Sequence, residues 1–466
     1  MVVVFHAVGV LSALHAVMFA RTAQGAIAWG LSLVVLPYVA VPAYWVFGRR
    51  SFHGYVEAWR GRRGETGDVE TAMRERLAPY AVEMPDTMPV YEPMRQLTGA
   101  PLLRGNDVEL LVDGEATFES IFAGLAKARS YALVQFYTIR DDGLGRRLRD
   151  ELIACVERGV RVWVLYDEVG SVALPRRFLD ELSEGGIEHS GFNGKRGPRN
   201  RFQVNFRNHR KSVVVDGRVA WIGGHNVGDE YLGRDPKLGP WRDTHVRIEG
   251  PAALVAQAIF LADWSWARQS ILDLDWRAEA AASGADVRAM VLPFAPTTRL
   301  EIAQLFFIQA LNGARDRIWI STPYFVPDQG VLAALRLAAL RGVDVRILVP
   351  DRSDIRTADL ATRWFARELT DVDIRFFRYT EGLLHQKVLL IDDLPSVGTA
   401  NFDNRSFRLQ FEMNAVFVGG KPAREVEAML RRDMERSVEW QPADLDEAAL
   451  HRRLAVALAR LAAPVL

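Results

Sequence analysis

NHRKSVVVDGRVAWIGGHN, residues 208–226, sets His209, Lys211 and Asp216 within eight positions of a valine-rich run. HQKVLLIDDLPSVGTAN, residues 385–401, repeats the three residue types at the same spacing as His385, Lys387 and Asp392. On a strand alternate side chains share a face, so each His and its Lys project to one side while aliphatic neighbours anchor the strand. Asp-Gly at 216–217 lies between two β-prone runs and reads as a hairpin turn, a structural role for Asp216. Asp392 has no Gly after it, so the turn argument is weaker in the second copy.

Small residues and an Asn follow each copy: Gly223-Gly224-His225-Asn226 and Gly398-Thr399-Ala400-Asn401. Small side chains let a phosphate approach the backbone, and an Asn amide or a Thr399 hydroxyl can donate to its oxygens. An acid comes later in each copy, Asp243 and Glu412, able to accept the ring proton of a histidine and fix its tautomer. One H-x-K on a strand is a common accident; two, each with its Asn and acid, are not. Two His, two Lys and two Asn pooled in one cleft suit a phosphodiester anion better than a neutral substrate.

The copies sit in a longer repeat. AKARSYALVQFYTI, LGRRLRDELIACVERGV and RVWVLYDEVGS alternate strand, helix and strand, as do NGARDRIWISTPYFV, QGVLAALRLAALRGV and DVRILVPDRSD. Arg158-Gly159-Val160 and Arg341-Gly342-Val343 each close a helix, with Gly suited to the position just past its end. The expected fold is α/β: two tandem domains, residues 101–285 and 286–466, forming a pseudo-twofold pair.

The chain has 466 residues, with Lys plus Arg equal to Asp plus Glu at 58 each, so no global charge points to a nucleic-acid partner. Its single cysteine, Cys155, excludes a disulfide framework and a thiolate zinc site, and no metal cluster is evident, so neither cofactor nor metal is expected. Residues 1–48 carry one formal charge, Arg21. Segments at about 2–20 and 25–47 are long enough to span a bilayer, and Tyr44, Trp45 and Phe47 lead into Arg49 and Arg50, an aromatic belt and a basic anchor. With Arg60, Arg62 and Arg63 extending that flank, a transmembrane hairpin is expected, its loop outside and the large C-terminal part cytoplasmic. Residues 49–100 read as a polar connector with some short helix. The run NGKRGPRNRFQVNFRNHRK, residues 193–211, is either a solvated charge run or an attraction for anionic headgroups.

The paired H-x-K-x4-D motifs resemble those of the phospholipase D superfamily. The apolar AWGLSLVVLPYVAVPAYWVFG, the STPYFVPD strand end and ANFDNRSFRLQFEMN after the second motif narrow the resemblance to bacterial cardiolipin synthases of the phospholipase D type. The resemblance implies a multi-pass enzyme of the bacterial inner membrane acting on phosphatidylglycerol and other anionic phospholipids. It implies a catalytic set of His209, Lys211, Asp216, His385, Lys387 and Asp392, with Asn226, Asn401 and Thr399 on phosphate and Asp243 and Glu412 orienting the rings. His209 would be the nucleophile and His385 the general acid and base. Gly224 stands where the family often has Ser, and the second copy is one residue shorter between Asp392 and Gly398, with Pro395 inside it, so a tighter or irregular hairpin is expected there. A phospholipase D releasing phosphatidic acid, a phosphatidylserine synthase, a nuclease and a non-catalytic scaffold are the rival readings.

Overall fold

The computed structural model describes the chain except residues 1, 49–51, 53, 61–62, 84–90, 193–204, 298–299 and 442–448. Most of the basic run, together with Arg49, Arg50 and Arg62, lies outside the described residues. In the first half the strands are β1 (Leu103–Val112), β2 (Tyr131–Phe136), β3 (Arg161–Asp167), β4 (Glu188–Phe192), β5 (Arg207–Asn208), β6 (Ser212–Val215), β7 (Val219–Gly223), β8 (Trp241–Arg242) and β9 (Thr244–Glu249). In the second they are β10 (Val287–Phe294), β11 (Arg317–Ser321), β12 (Phe325–Val326), β13 (Asp344–Pro350), β14 (Arg375–Tyr379), β15 (Leu383–Leu384), β16 (Val388–Ile391), β17 (Leu394–Gly398), β18 (Phe402–Asp403), β19 (Gln410–Phe417) and β20 (Ser437–Glu439).

One continuous sheet runs through both halves in the order β4-β3-β2-β6-β7-β9-β1, then β10-β19-β17-β16-β11-β13-β14-β20. The antiparallel β1–β10 pair is the seam, and the order reads alike outward from it on either side, with β20 added at one edge. This is the duplicated α/β architecture expected from the repeat. The two Arg-Gly-Val stretches show how local sequence enforces it. Gly159 and Gly342 take φ of +84° and +86°, and Val160 and Val343 donate back to the Cys155 and Ala338 carbonyls at 3.0 and 3.2 Å. A side chain is strained at that φ, so Gly ends each helix and sends the chain into β3 or β13.

Each half also lends a short strand to the other. β5, just before His209, pairs in parallel with the start of β19, and β15, just before His385, pairs in parallel with β8. His209 N donates to Phe411 O at 2.9 Å and His385 N to Arg242 O at 2.8 Å. Each histidine is therefore held at the edge of the half that does not encode it.

The N-terminal segment departs from expectation. Helix α1 (Val2–Phe19) is continuous, but the second apolar stretch forms two helices, α2 (Ala23–Val35) and α3 (Pro37–Phe47), broken at Leu36. Pro37 lacks an amide proton and disfavours helical backbone at the residue before it, and Leu36, at φ −129° and ψ 55°, lies outside the helical region. Among the described residues α1 alone is a helix long and apolar enough to cross a membrane. The loop between α1 and α2 touches the α/β body: Arg21 Nε lies 2.6 Å from Glu301 Oε1. The connector is also more than a spacer. It forms α4 (Tyr55–Arg60), α5 (Arg63–Leu77) and α6 (Tyr91–Thr98), and Phe52 is buried against Phe192, Phe206, Trp266 and Phe411, residues of both halves.

Candidate active site

His209 and Lys211 precede β6, and His385 and Lys387 precede β16, each the fourth strand out from the seam in its half. Both histidines are 7% exposed, while Lys211 and Lys387 are 0% and 3% exposed, so the four groups are withdrawn from bulk water. Each lysine folds back on its own motif: Lys211 Nζ donates to His209 O at 2.6 Å, and Lys387 Nζ donates to His385 O. Tyr137 packs on the His209 ring at 5.0 Å between centroids and Trp241 on His385 at 4.9 Å.

The acids cross between the halves. Glu412, from the second half, accepts from His209 Nδ1 at 2.9 and 3.1 Å; Asp243, from the first, accepts from His385 Nδ1 at 2.7 Å. With Nδ1 engaged as donor to its acid, Nε2 of each ring is the nitrogen left to act on a substrate, and Lys387 Nζ lies 3.2 Å from that of His385. Neither half holds a complete His-acid pair alone.

The remaining expected residues divide. Asn226 accepts from Thr138 N at 3.1 Å and donates to Tyr231 Oη at 3.1 Å, which leaves one amide proton for a ligand. Asn401 is buried with its Oδ1 unpartnered among the described residues. Thr399 is not placed as a phosphate donor: its hydroxyl donates to Glu412 Oε2 at 2.5 Å and accepts from Met413 N at 2.9 Å. It fastens the acid that orients His209. At the matching position of the first half, a β-carbon on Gly224 would lie 2.0 Å from Asp243 Oδ1, so the missing hydroxyl there is the room Asp243 occupies.

Asp216 and Asp392, which the resemblance places in the catalytic set, are each engaged by backbone amides, the structural role expected for Asp216 from its turn. Asp216 accepts from the backbone N–H groups of Arg129, Ser130 and Tyr131 at 2.8–2.9 Å, and Asp392 from Arg315, Asp316 and Arg317 at 2.9–3.1 Å. Each sits at the far end of its strand from the His and Lys and ties the hairpin to the start of β2 or β11. Asp392 does this without a following Gly, at φ +48° against +52° for Asp216. The shortened second copy stays regular, because the lost residue comes out of the turn: Ile391 pairs with Leu394, whereas Val215 pairs with Val219. Pro395 falls opposite Leu390, one place outside the β17–β19 pairing, where no ladder bond needs its N–H. Asp216→Ala and Asp392→Ala strand three amide donors each. A loss of about 1–3 kcal/mol of stability is expected, seen as a lower thermal midpoint with activity per folded molecule unchanged. An intact midpoint with lost activity would return them to the site.

Electrostatics separate the two His-acid pairs. Burial pushes Glu412 up to about 7 against the pull of Lys211 and the Thr399 and Ser406 hydroxyls. Burial acts in the same sense on Asp243, but Lys387, His225 and His385 together outweigh it and hold that carboxyl well below the usual range. His209 is held well below its ordinary value by burial, then by Lys211 and Lys387. His385 is lowered by burial and Lys387 against the opposing pull of Asp243. At neutral pH Asp243 is an anion beside His385, while burial draws Glu412 toward its neutral form beside His209. Lys387 is brought down by burial to about 8. Its charge is present below that pH and lost above it, so kcat/KM is expected to fall as pH rises through about 8. Lys387→Arg, which stays protonated, is expected to move that alkaline limb upward in a pH–rate profile, at some cost in rate.

Sequence reading missed the groups behind the site. Arg210, the middle residue of its motif, is turned into the protein behind the site. It is buried and bonds Asp263 Oδ1 at 2.5 Å, Phe294 O at 3.0 Å and Glu412 O at 3.0 Å. Gln386, its counterpart, donates to Asp433 Oδ2 at 3.0 Å, and Asp433 takes its guanidinium from Arg242 of the other half at 2.8 Å. The available signal was Asp263 itself, an acid inside the apolar run ALVAQAIFLADWSWA. Ser406, which donates to Glu412 Oε1 at 2.8 Å, carried none.

A duplicated α/β sheet, with a His-Lys pair leading into an equivalent strand of each half and acids exchanged across a pseudo-twofold seam, defines the phospholipase D architecture. The family model described as "Cardiolipin synthase, PLD-like domain" matches residues 121–249 and 307–434. The chain is 46% identical to cardiolipin synthase A of Pseudomonas aeruginosa (strain LESB58) over 98% of its own length and 94% of that protein's. It is 46% identical to cardiolipin synthase A of Pseudomonas putida (strain GB-1) over 99% of its length and 97% of that protein's. In fold it is similar to the phosphatidylserine synthase of Haemophilus influenzae Rd KW20, with a TM-score of 0.61 at 14% identity, over 82% of this chain and 100% of that one. This protein belongs to the cardiolipin synthases of the phospholipase D type, a family of phosphatidyltransferases.

Proposed function

We propose that this chain is a membrane-bound cardiolipin synthase, transferring a phosphatidyl group from one phosphatidylglycerol to the terminal hydroxyl of another. His209 Nε2 attacks phosphorus as the P–O bond to the departing glycerol breaks, and His385 gives that oxygen its proton. The product of this step is a phosphatidyl-histidine and free glycerol. His385 then takes the proton of the acceptor's hydroxyl, whose oxygen attacks phosphorus and displaces His209, releasing cardiolipin. Lys211 and Lys387 balance charge on the nonbridging oxygens, with Asn226 and Asn401 as further donors.

The crossed acids carry this reading. Asp243, ionised and 2.7 Å from His385, stabilises an imidazolium, the form a general acid must start from and a general base must reach. Glu412, raised by burial and clasped by two hydroxyls, stabilises positive charge on His209 less than Asp243 does on His385, which suits a ring that must attack as neutral imidazole. Arg60, following an apolar stretch that ends in aromatic residues, supports a cytoplasmic catalytic body at the inner membrane.

The test is product analysis after incubating purified protein with phosphatidylglycerol labelled in its glycerol headgroup. Cardiolipin and free glycerol in equal amounts are expected. Phosphatidic acid as the phospholipid product would make the enzyme a hydrolase, with water as acceptor.

A further inference from the structure

The N-terminal helices α1, α2 and α3 pack together as an antiparallel three-helix unit. Trp29 of α2 stacks edge-on against Tyr44 of α3 at 5.3 Å, and Leu33 lies in one apolar cluster with Ala40. Both pairs are centred on the Leu36–Pro37 break, as two helices folded back on each other require. Helix α1 packs antiparallel to α2 and parallel to α3: a β-carbon on Gly9 would lie 2.4 Å from Leu33 O, while Phe5 meets Tyr38 and His15 bonds Tyr44 Oη at 2.6 Å. The polar groups inside are satisfied, with Trp45 Nε1 donating to Ser12 Oγ at 3.2 Å. The outer faces are apolar and exposed, among them Val3, Leu11, Val17, Ile27, Leu31 and Val39.

Lengths assign the depth. At 1.5 Å per residue the 18 residues of α1 extend about 27 Å, close to a hydrocarbon core of roughly 30 Å. The 13 residues of α2 and 11 of α3 extend only about 20 and about 17 Å. Both lower ends of the α2–α3 pair meet the catalytic body at neighbouring places: Arg21 bonds Glu301 at 2.6 Å, and Phe52 N donates to Pro296 O at 2.7 Å. Glu301 also accepts from Arg408 Nε at 2.9 Å, and Arg408 closes the short helix Asn404–Arg408 that carries Ser406, the residue holding Glu412.

We infer that α1 crosses the bilayer once and that α2–α3 is a re-entrant hairpin, entering and leaving the leaflet next to the catalytic body, with acyl chains of that leaflet as its partner. Arg21, the one formal charge of the first 48 residues, then lies on the same side as Arg60 at the end of α4, where a two-span hairpin strands it opposite. The hairpin seats the body on the leaflet through the Arg21–Glu301–Arg408 contacts, beside the active site. Headgroups of that leaflet reach the cleft while their chains stay in lipid. The arrangement stands on helix lengths and contacts and is independent of the reaction catalysed.

The test uses the full-length protein with Cys155→Ser and single substitutions Gln24→Cys, Leu36→Cys and Lys127→Cys, probed in sealed vesicles of each orientation with a membrane-impermeant maleimide. Gln24→Cys and Lys127→Cys are expected to label from the same face, and Leu36→Cys from neither until detergent is added. Labelling of Gln24→Cys from the face opposite Lys127→Cys overturns the inference. The double variant Arg21→Cys/Glu301→Cys, also carrying Cys155→Ser, gives an independent reading: a short membrane-permeant bismaleimide, which spans the gap the two long side chains now fill, is expected to cross-link it in intact membranes. A cross-link formed only in detergent, or in neither, overturns the contact on which the topology rests.

Discussion

His209→Ala and His385→Ala are each expected to reduce cardiolipin formation by about 10⁴-fold or more, at unchanged thermal midpoint. The reaction needs both rings in both steps, so loss of either disables the cycle and the effects do not add: the double variant is expected to be no worse than the more damaged single one. The two rings differ in what they leave behind. With phosphatidylglycerol carrying labelled phosphorus, His385→Ala retains the nucleophile and is expected to accumulate a slowly formed, acid-labile, base-stable phosphoryl-protein. His209→Ala is expected to trap none. Label on His209→Ala, and its absence from His385→Ala, would exchange the roles assigned to the two histidines while leaving the rest of the site intact.

Asp243→Asn is expected to lower kcat by about 10³–10⁴, and Glu412→Gln by only about 10–10². The amide is nearly isosteric in both cases, so packing is kept and charge is removed. Asp243 is ionised, and its partner His385 must become an imidazolium in every turnover; removing the anion withdraws the stabilisation of that cation and permits the wrong ring tautomer. Glu412 is pushed by burial up to about 7 and is already held by Thr399 and Ser406, so its neutral form is populated in the native enzyme and Gln mimics it. Single-turnover rates at neutral pH decide the comparison. Equal losses in the two variants would show that the pairs are electrostatically equivalent, and the division of labour would then have to come from substrate placement alone.

Much of the site was legible as a list of residues. His209, Lys211, His385 and Lys387 follow from the period of a strand, and the duplication made chance an insufficient explanation. The helix ends at Gly159 and Gly342 and the turn at Asp216 were equally plain, because each is a local backbone demand met by one residue type. Asp392 shows the limit of such reasoning. Without its Gly the turn was hard to read, yet its carboxylate gathers the same three amides as Asp216, because the geometry is imposed by β11 from seventy-odd residues away.

The partnerships were not legible. Sequence order sets Asp243 after the first motif and Glu412 after the second, and nothing local says that each serves the other's histidine; the exchange arises because β5 and β15 pair across the seam. Thr399 looked like a phosphate donor, and burial turned it into a fastening for Glu412. Arg210, between the His and Lys, gained its meaning from Asp263 on a distant helix. The apolar run 25–47 met every compositional test of a membrane span, and one proline with the packing of Trp29 on Tyr44 divides it in two. By itself the sequence determined the strands, the turns, the repeat and the chemical types that meet the substrate, since these depend on periodicity and on backbone preferences within a few residues. Only the tertiary structure decided which acid holds which histidine, which motif residues face the protein and not the cleft, and how the anchor meets the body, because those outcomes are set by contacts between segments far apart in the chain.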